Sequence, residues 1–69
     1  MKLSARNVIK AKVKKVTHGA VNSEVVLELP GGSEMVAMIT RQSAESLGLV
    51  AGGDAYAVIK ASNVMVAVD

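Results

Sequence analysis

In the stretch VIKAKVK, residues 8–14, apolar residues alternate with lysines from Ile9 to Lys14. Because successive side chains of a β-strand point to opposite sides, Ile9, Ala11 and Val13 share one face and the three lysines share the other. This is the pattern of a strand with one face in a core and the other in water. The stretch therefore predicts a β-rich fold that begins with this strand.

The segments that follow are separated by turn signals. Gly19 can supply the positive φ of a turn after the first strand, and Pro30-Gly31-Gly32-Ser33 is the strongest turn signal of the chain. The predicted elements are strands at 21–29, 34–40, 54–60 and 63–68, with one short helix between Thr40 and Gly48. This order predicts a mainly β fold, an OB-like five-stranded barrel with one short helix between the third and fourth strands, in a single domain spanning residues 1–69.

The composition predicts that one chain does not stand alone. The 69 residues are 51% hydrophobic, yet they include one Tyr and no Phe or Trp. A core of aliphatic side chains gains only about 1.5–3 kcal/mol for each one that is fully buried. Small domains of this kind often gain further burial by association, so we predict a homo-oligomer.

Several classes of function are disfavoured by residues that the chain lacks. Without cysteine it has neither disulfides nor thiolate ligands, and its single histidine and six scattered carboxylates do not form a metal-binding pattern. No nucleophile motif accompanies them, so we predict a protein that is not an enzyme and holds no metal by direct side-chain coordination. No segment has the apolar run of a secretory signal or a membrane span, which predicts a cytoplasmic protein without membrane contact.

The charges are segregated along the chain. Six of the eight basic residues precede Thr17, whereas all six acidic residues lie at Glu24 or beyond. This distribution favours anions near the first strand. We also expect Glu24 and Glu28, which share a strand face, to pair across strands with the lysine row.

Two clusters of hydrogen-bond donors flank the predicted strands. Ser4 and Arg6 share strand parity in Ser4-Ala5-Arg6-Asn7, and Lys60 and Ser62 share it around Ala61, whose backbone N–H is a further donor. Taken alone, either cluster fits an ordinary solvated surface. Together they would form a pocket of donors without carboxylates, which suits a fully deprotonated oxyanion such as molybdate or sulfate better than a protonated phosphate.

The spacing of these clusters resembles that of the molbindin, or Mop, family. The resemblance is carried by SARN at residues 4–7, KAKV at 10–13, EVVLEL at 24–29 and AVIKASNVM at 57–65. It implies an OB-like fold, a hexamer assembled as a trimer of dimers, and binding of molybdate or tungstate at subunit interfaces without an organic cofactor. The implied role is intracellular molybdenum storage or homeostasis.

The resemblance also implies which residues bind the oxyanion. The interface site falls on two groups that different chains contribute: Ser4, Ala5 and Arg6 from one, and Thr40, Lys60, Ala61 and Ser62 from the other. Related sequences carry Ser where this chain has Ala61, which leaves one donor fewer. A second site near a three-fold axis would fall on the turn His18, Gly19, Ala20, Val21 and Asn22.

Two other functions fit the predicted fold. An OB barrel with a basic strand can bind single-stranded nucleic acid, but such binding relies on aromatic side chains that stack on bases, and Tyr56 is the only aromatic residue here. We therefore predict no nucleic-acid partner. The third possibility is a structural subunit of a larger transport or regulatory complex, which would bind no oxyanion.

Overall fold

The computed structural model describes residues 1–69 and contains one four-stranded antiparallel sheet. Strands β1 (Asn7–His18), β2 (Asn22–Glu28), β3 (Glu34–Thr40) and β4 (Asp54–Ile59) are arranged in the order β3-β2-β1-β4. A short helix, α1 (Arg41–Ser46), connects β3 to β4, and one 3-10 turn (Ala61–Asn63) follows β4. The mainly β fold and the position of the helix are as predicted.

Strand β1 is the centre of the sheet and is longer than the sequence predicted. It pairs with β4 from Asn7 to Lys12 and with β2 from Lys12 to His18. A register shift between Val13 and Lys15 marks a β-bulge, which inserts one extra residue into the strand. The bulge reverses the alternation, so Val16 and His18 continue the face that Ala11 and Val13 began.

The hydrophobic core lies on one face of the sheet, the face that the alternation of Ile9, Ala11 and Val13 with lysines predicted. Its fully buried members come from three strands and are Ala11, Val13, Val25, Leu27 and Ala57. Half-buried residues of the edge strands pack against this cluster, including Met35, Ala37 and Ile39 of β3. The core is small and contains no aromatic side chain, as the composition indicated.

The predicted fifth strand is absent, and the prediction of a five-stranded barrel is wrong for this chain. Residues 64–69 form no strand, and Met65 and Val66 are almost completely exposed. Their β-branched, alternating sequence is suited to a strand, but a strand also requires a partner with free backbone groups beside it. No strand of this chain lies beside the segment, and the sheet remains open between β3 and β4.

Two turns are formed for different reasons. Gly31 and Gly32 have φ values of 90° and 93°, which residues with a Cβ rarely adopt. Gly19 has no positive φ, contrary to the prediction; instead, a Cβ there would lie 2.7 Å from the carbonyl oxygen of Asn22. Glycine at position 19 is therefore required by the close approach of two backbone segments.

Candidate oxyanion-binding site

The two predicted donor clusters lie side by side at one end of β1. The β1–β4 ladder ends at the pair Asn7 and Ile59, where the side-chain amide of Asn7 also donates to the carbonyl of Ile59 at 3.3 Å. In an antiparallel pair, the residues before Asn7 and those after Ile59 leave the ladder next to each other. We call this place the open end of the sheet. The two segments that hold the predicted donors, Ser4–Arg6 and Lys60–Ser62, adjoin this last pair along the chain.

The polar side chains at the open end have no partners within the chain. Ser4 and Arg6 are exposed on one side, Lys60 and Ser62 on the other, and none of them makes a hydrogen bond or an ion pair with another side chain. The carboxylates of Asp54, Glu34 and Glu45 are instead paired with other basic residues. The open end therefore presents two cations and two hydroxyl groups that no acid of the chain neutralises.

The backbone at the open end differs from the prediction. Ser4 and Arg6 do not share one face of a strand, because the chain bends at both residues before β1 begins. Lys60 and Ser62 do not share a strand face either, because Lys60 precedes a 3-10 turn in which Asn63 N–H donates to Lys60 O at 2.9 Å. Within such a turn, the N–H groups of Ala61 and Ser62 have no partner. These two N–H groups are additional donors beside the side chains.

The opposite end of β1, which we call the closed end, holds the turn proposed as the second site. His18 Nδ1 lies 2.6 Å from the hydroxyl oxygen of Ser23, which is completely buried. Gly19 N–H donates to Asn22 O at 2.7 Å, and Arg41 N–H donates to Val21 O at 2.8 Å. The imidazole of His18 and the backbone groups of Gly19 and Val21 thus hold the turn together. Ala20 and Asn22 are exposed, and the side-chain amide of Asn22 makes no hydrogen bond.

Thr40 lies at the closed end, away from the other residues of the predicted interface site. It pairs with Asn22 at the end of β3, whereas Lys60 follows the end of β4 beside Arg6. The 12 residues of β1, at about 3.3 Å each, separate the two ends. The structure therefore does not bring Thr40 to Lys60 within one chain, and Thr40 can join that site only from a second copy.

The hydroxyl group of Thr40 caps the N-terminus of α1. It accepts a hydrogen bond from Ser43 N–H at 3.1 Å and donates to the Ser43 hydroxyl at 2.7 Å, which caps α1. Threonine is a favoured residue at this position because its oxygen satisfies an N–H group that the first turn leaves free. The sequence carried this signal, since Thr40 directly precedes the helical segment.

The lysine row of β1 pairs with acids other than those predicted. Lys12 Nζ lies 2.6 Å from Asp54 Oδ1, and Lys14 pairs with Glu34; neither Glu24 nor Glu28 forms an ion pair. The hydrogen bond from Lys12 lowers the pKa of Asp54, and the hydrogen bond to Glu34 raises the pKa of Lys14. All of these side chains are exposed, so they form a solvated face across β1 rather than a site.

Sequence reasoning missed two residues that shape the ends of β1. Asn7 fastens β1 to the end of β4 through its side-chain amide. Arg41 forms an ion pair with Glu45 at 2.8 Å and approaches Gly19 O at 3.5 Å. The spacing of Arg41 and Glu45, four residues apart on a helix, could have revealed the ion pair; the contact with Gly19 depends on the fold. No cluster of His, Asp and Glu that could hold a metal ion occurs in the chain.

Comparison with known proteins identifies the family of the chain. The TOBE domain family matches residues 3–66, and the chain therefore belongs to this family. MopA of Rhodobacter capsulatus, a molybdenum-pterin-binding protein, is 48% identical over 97% of the chain, which spans 25% of that protein. Molybdenum-pterin-binding protein 3 of Clostridium pasteurianum is 46% identical, with 96% of this chain and 97% of that protein covered. The resemblance to the Mop family is confirmed.

Solved structures of the same group have the same fold. MopII from Clostridium pasteurianum superposes with a TM-score of 0.92 at 40% identity, over 97% of this chain and all of that one. A molybdate-binding protein from Sporomusa ovata gives 0.91 at 39% identity, over 97% and 98%. The cytoplasmic molybdate-binding protein ModG, with molybdate bound, gives 0.90 at 51% identity, over 94% of this chain and 46% of that one.

Proposed function

We propose that this chain binds molybdate or tungstate as a free oxyanion, through the donors of the open end, for intracellular molybdenum storage or homeostasis. The observation that carries the proposal is that Ser4, Arg6, Lys60 and Ser62 have no partner among the carboxylates of the chain. Relatives and structural neighbours named for molybdenum or molybdate binding support the identity of the anion. The chain acts in this proposal as a binding protein and not as an enzyme.

The donors at the open end favour an anion that carries no proton. An arginine and a lysine side chain donate hydrogen bonds but cannot accept them, and a backbone N–H group is likewise only a donor. A hydrogen phosphate ion would need an acceptor for its own proton, whereas molybdate, tungstate and sulfate would not. Charge-assisted hydrogen bonds of this kind are about twice as strong as neutral ones.

We propose that the binding unit is a hexamer, built as a trimer of dimers, in which chains share oxyanion sites. Two separate apolar surfaces lie on the outer face of the sheet: Val36 and Met38 on β3, and Val8 and Val58 on β1 and β4. The charged residues of β1 and β2 lie between them. Two distinct surfaces are what a trimer of dimers requires, because it has two kinds of contact. In this assembly Thr40 would reach the open end of a neighbouring chain.

The experiment is calorimetry of the purified protein with molybdate, tungstate, sulfate and phosphate near pH 7, combined with native mass spectrometry. We expect binding of the two metal oxyanions, weaker or no binding of phosphate, and a mass of six chains of 7.1 kDa. Absence of heat with every oxyanion would contradict the proposal. Phosphate binding as strong as molybdate binding would contradict the preference for an anion that carries no proton.

The names of the relatives suggest a molybdenum-pterin as a second ligand to test. The chain offers a pterin ring only Tyr56 for stacking, so we favour the inorganic ion. Titration with a short single-stranded oligonucleotide in the same experiment tests the nucleic-acid alternative. We place the protein in the cytoplasm by similarity to ModG, which is described as cytoplasmic. The structure contains no helix with the length and hydrophobicity of a membrane span.

A further inference from the structure

Asn7 is a polar residue at a position where the sheet favours an apolar one. It continues the face of Ile9, Ala11 and Val13, which is the core face of β1, and it is half-buried there. Asparagine is depleted in strands, whereas a β-branched residue at this position would add strand propensity and apolar contact. The stability of the sheet therefore does not explain an amide at residue 7.

The amide of Asn7 makes the only side-chain hydrogen bond at the open end. Its Nδ2 donates to the carbonyl oxygen of Ile59 at 3.3 Å, although the two residues are 52 positions apart. Asn7 and Ile59 are also the last pair of the β1–β4 ladder. The bond therefore ties the two strands together at the point where the ladder ends.

The two cations of the proposed oxyanion site adjoin this pair along the chain. Arg6 directly precedes Asn7, and Lys60 directly follows Ile59. Residues that face each other in an antiparallel pair have Cα atoms about 4.5–5.5 Å apart. The last pair thus fixes the two points from which the arginine and lysine segments leave the sheet.

Little else holds the two segments in place. Residues 1–6 make no backbone hydrogen bond, and the side chains of Arg6 and Lys60 are exposed and have no acid partner. The last pair of a ladder is supported from one side only, so a ladder frays at its ends before it opens at its centre. Without the bond from Asn7, the separation of the two segments would vary.

We propose that Asn7 is a positioning residue that holds Arg6 and Lys60 at the separation that suits molybdate, an inference that rests on the proposed oxyanion function. Hydrogen-bond donors alone do not separate molybdate from sulfate, because both are tetrahedral dianions without a proton. The two ions differ in size, and donors held at a fixed separation favour one size over another. The role of Asn7 is the same for an anion shared between chains, because both segments of each chain start from this pair.

An amide suits this role because it is neutral. It donates to a carbonyl oxygen and adds no charge beside the two cations. An aspartate at residue 7 would have no N–H to donate, and its carboxylate would lie next to Arg6 and compete with the anion. An apolar residue would leave the carbonyl of Ile59 without the side-chain donor.

Asn7→Val is the main test, because valine fits a strand and its apolar face but cannot donate. We expect an unfolding temperature, measured without anion, at or above that of the unmodified protein. The affinity for molybdate should nevertheless fall about 3- to 10-fold, the amount carried by one hydrogen bond. The preference for molybdate over sulfate, measured by competition, should fall with it. An unchanged molybdate affinity or an unchanged preference would overturn the proposal.

Two further variants separate the position of the amide from its charge. Asn7→Asp should bind molybdate more weakly than Asn7→Val, because it adds a carboxylate beside the cations; equal or tighter binding would overturn the argument. Gln42→Ala is the control, since it removes an exposed amide on α1 that makes no hydrogen bond. It should leave both anion affinities unchanged, and a loss equal to that of Asn7→Val would overturn the specific role of Asn7.

Hydrogen exchange without any anion separates this proposal from the proposed function. In Asn7→Ala we expect the amides of the last two ladder pairs, residues 7–8 and 58–59, to exchange about 3- to 10-fold faster, with those of β2 unchanged. Unchanged exchange at the ladder end would overturn the fastening. Faster exchange in a protein that binds no molybdate would contradict the proposed function and support the fastening. Molybdate binding that is unaffected by Asn7→Val would contradict the positioning role alone.

Discussion

Both ends of β1 carry polar residues, but the two ends use them in opposite ways. At the closed end, His18 bonds to the buried Ser23, and backbone groups of Gly19 and Val21 bond to Asn22 and Arg41. At the open end, Ser4, Arg6, Lys60 and Ser62 have no partner side chain.

The contrast shows how a structural cluster differs from a binding site. Polar groups that satisfy one another stabilise a turn and have little capacity left for a ligand. Donors that remain unpaired near the surface are hydrated and can exchange water for an anion. The predictions below test this contrast, beginning with the largest expected effect.

Arg6→Ala tests the open end. If this guanidinium holds a divalent oxyanion, its removal costs about 1.5–3 kcal/mol of binding free energy, which is roughly a 10- to 150-fold loss of affinity for molybdate. Calorimetry measures the loss. Lys15→Ala is the control, because Lys15 is an unpaired cation on β1, away from the open end. Equal losses in both variants would show that general charge, and not the open end, attracts the anion.

His18→Ala tests the closed end. The substitution leaves the buried Ser23 hydroxyl without its partner, which we expect to lower the free energy of unfolding by about 1–3 kcal/mol. Molybdate affinity should change little. Chemical denaturation and calorimetry measure the two quantities.

The matched control for His18→Ala is the double variant with Ser23→Ala. Removal of both partners abolishes the unpaired buried group, so the double variant should recover part of the lost stability. A large loss of molybdate affinity with intact stability would contradict the structural role and support a ligand at the turn.

Thr40→Ala examines a residue that the sequence assigned to the site and the structure assigns to a helix cap. Loss of the cap should cost about 0.5–2 kcal/mol of stability, whereas Thr40→Ser should retain it because the hydroxyl remains. Thermal unfolding measures this effect. A drop in molybdate affinity beyond the stability loss would support participation of Thr40 from a neighbouring chain.

The smallest effect on stability is expected from the two ion pairs of β1, which lie between its open and closed ends. The pKa of Asp54 is lowered, so its pairing with Lys12 stabilises the fold at pH values above the ordinary pKa of 3.8. This stabilisation is lost as the pH falls through the lower pKa that Asp54 has in the folded state. The raised pKa of Lys14 means that its pairing with Glu34 is lost only as pH rises beyond 10.5. Both pairs are exposed and screened, so a shallow pH dependence is expected.

A pH series of unfolding temperatures checks this prediction. Asp54→Asn should remove part of the decline on the acid side and leave the alkaline side unchanged. A steep loss of stability near neutral pH would show that another group, and not these pairs, controls the pH dependence.

The sequence by itself determined the local elements of this protein. The alternation of Ile9, Ala11 and Val13 with lysines identified the core face of β1, and Thr40 and Gly48 bounded the helix. These signals are local, because a strand or helix face depends on residues a few positions apart. The two donor clusters could also be found in this way, since their unusual lack of carboxylates is visible in the sequence.

Only the tertiary structure decided how these parts meet. The pairing of Asn7 with Ile59 brought Arg6 to Lys60 within one chain, and the bulge after Val13 placed His18 on the face of Ser23. The C-terminal segment has the sequence of a strand but forms none, because a strand exists only where neighbouring backbone groups complete its hydrogen bonds. That requirement depends on contacts distant in sequence, and for residues 64–69 it is not met within the chain.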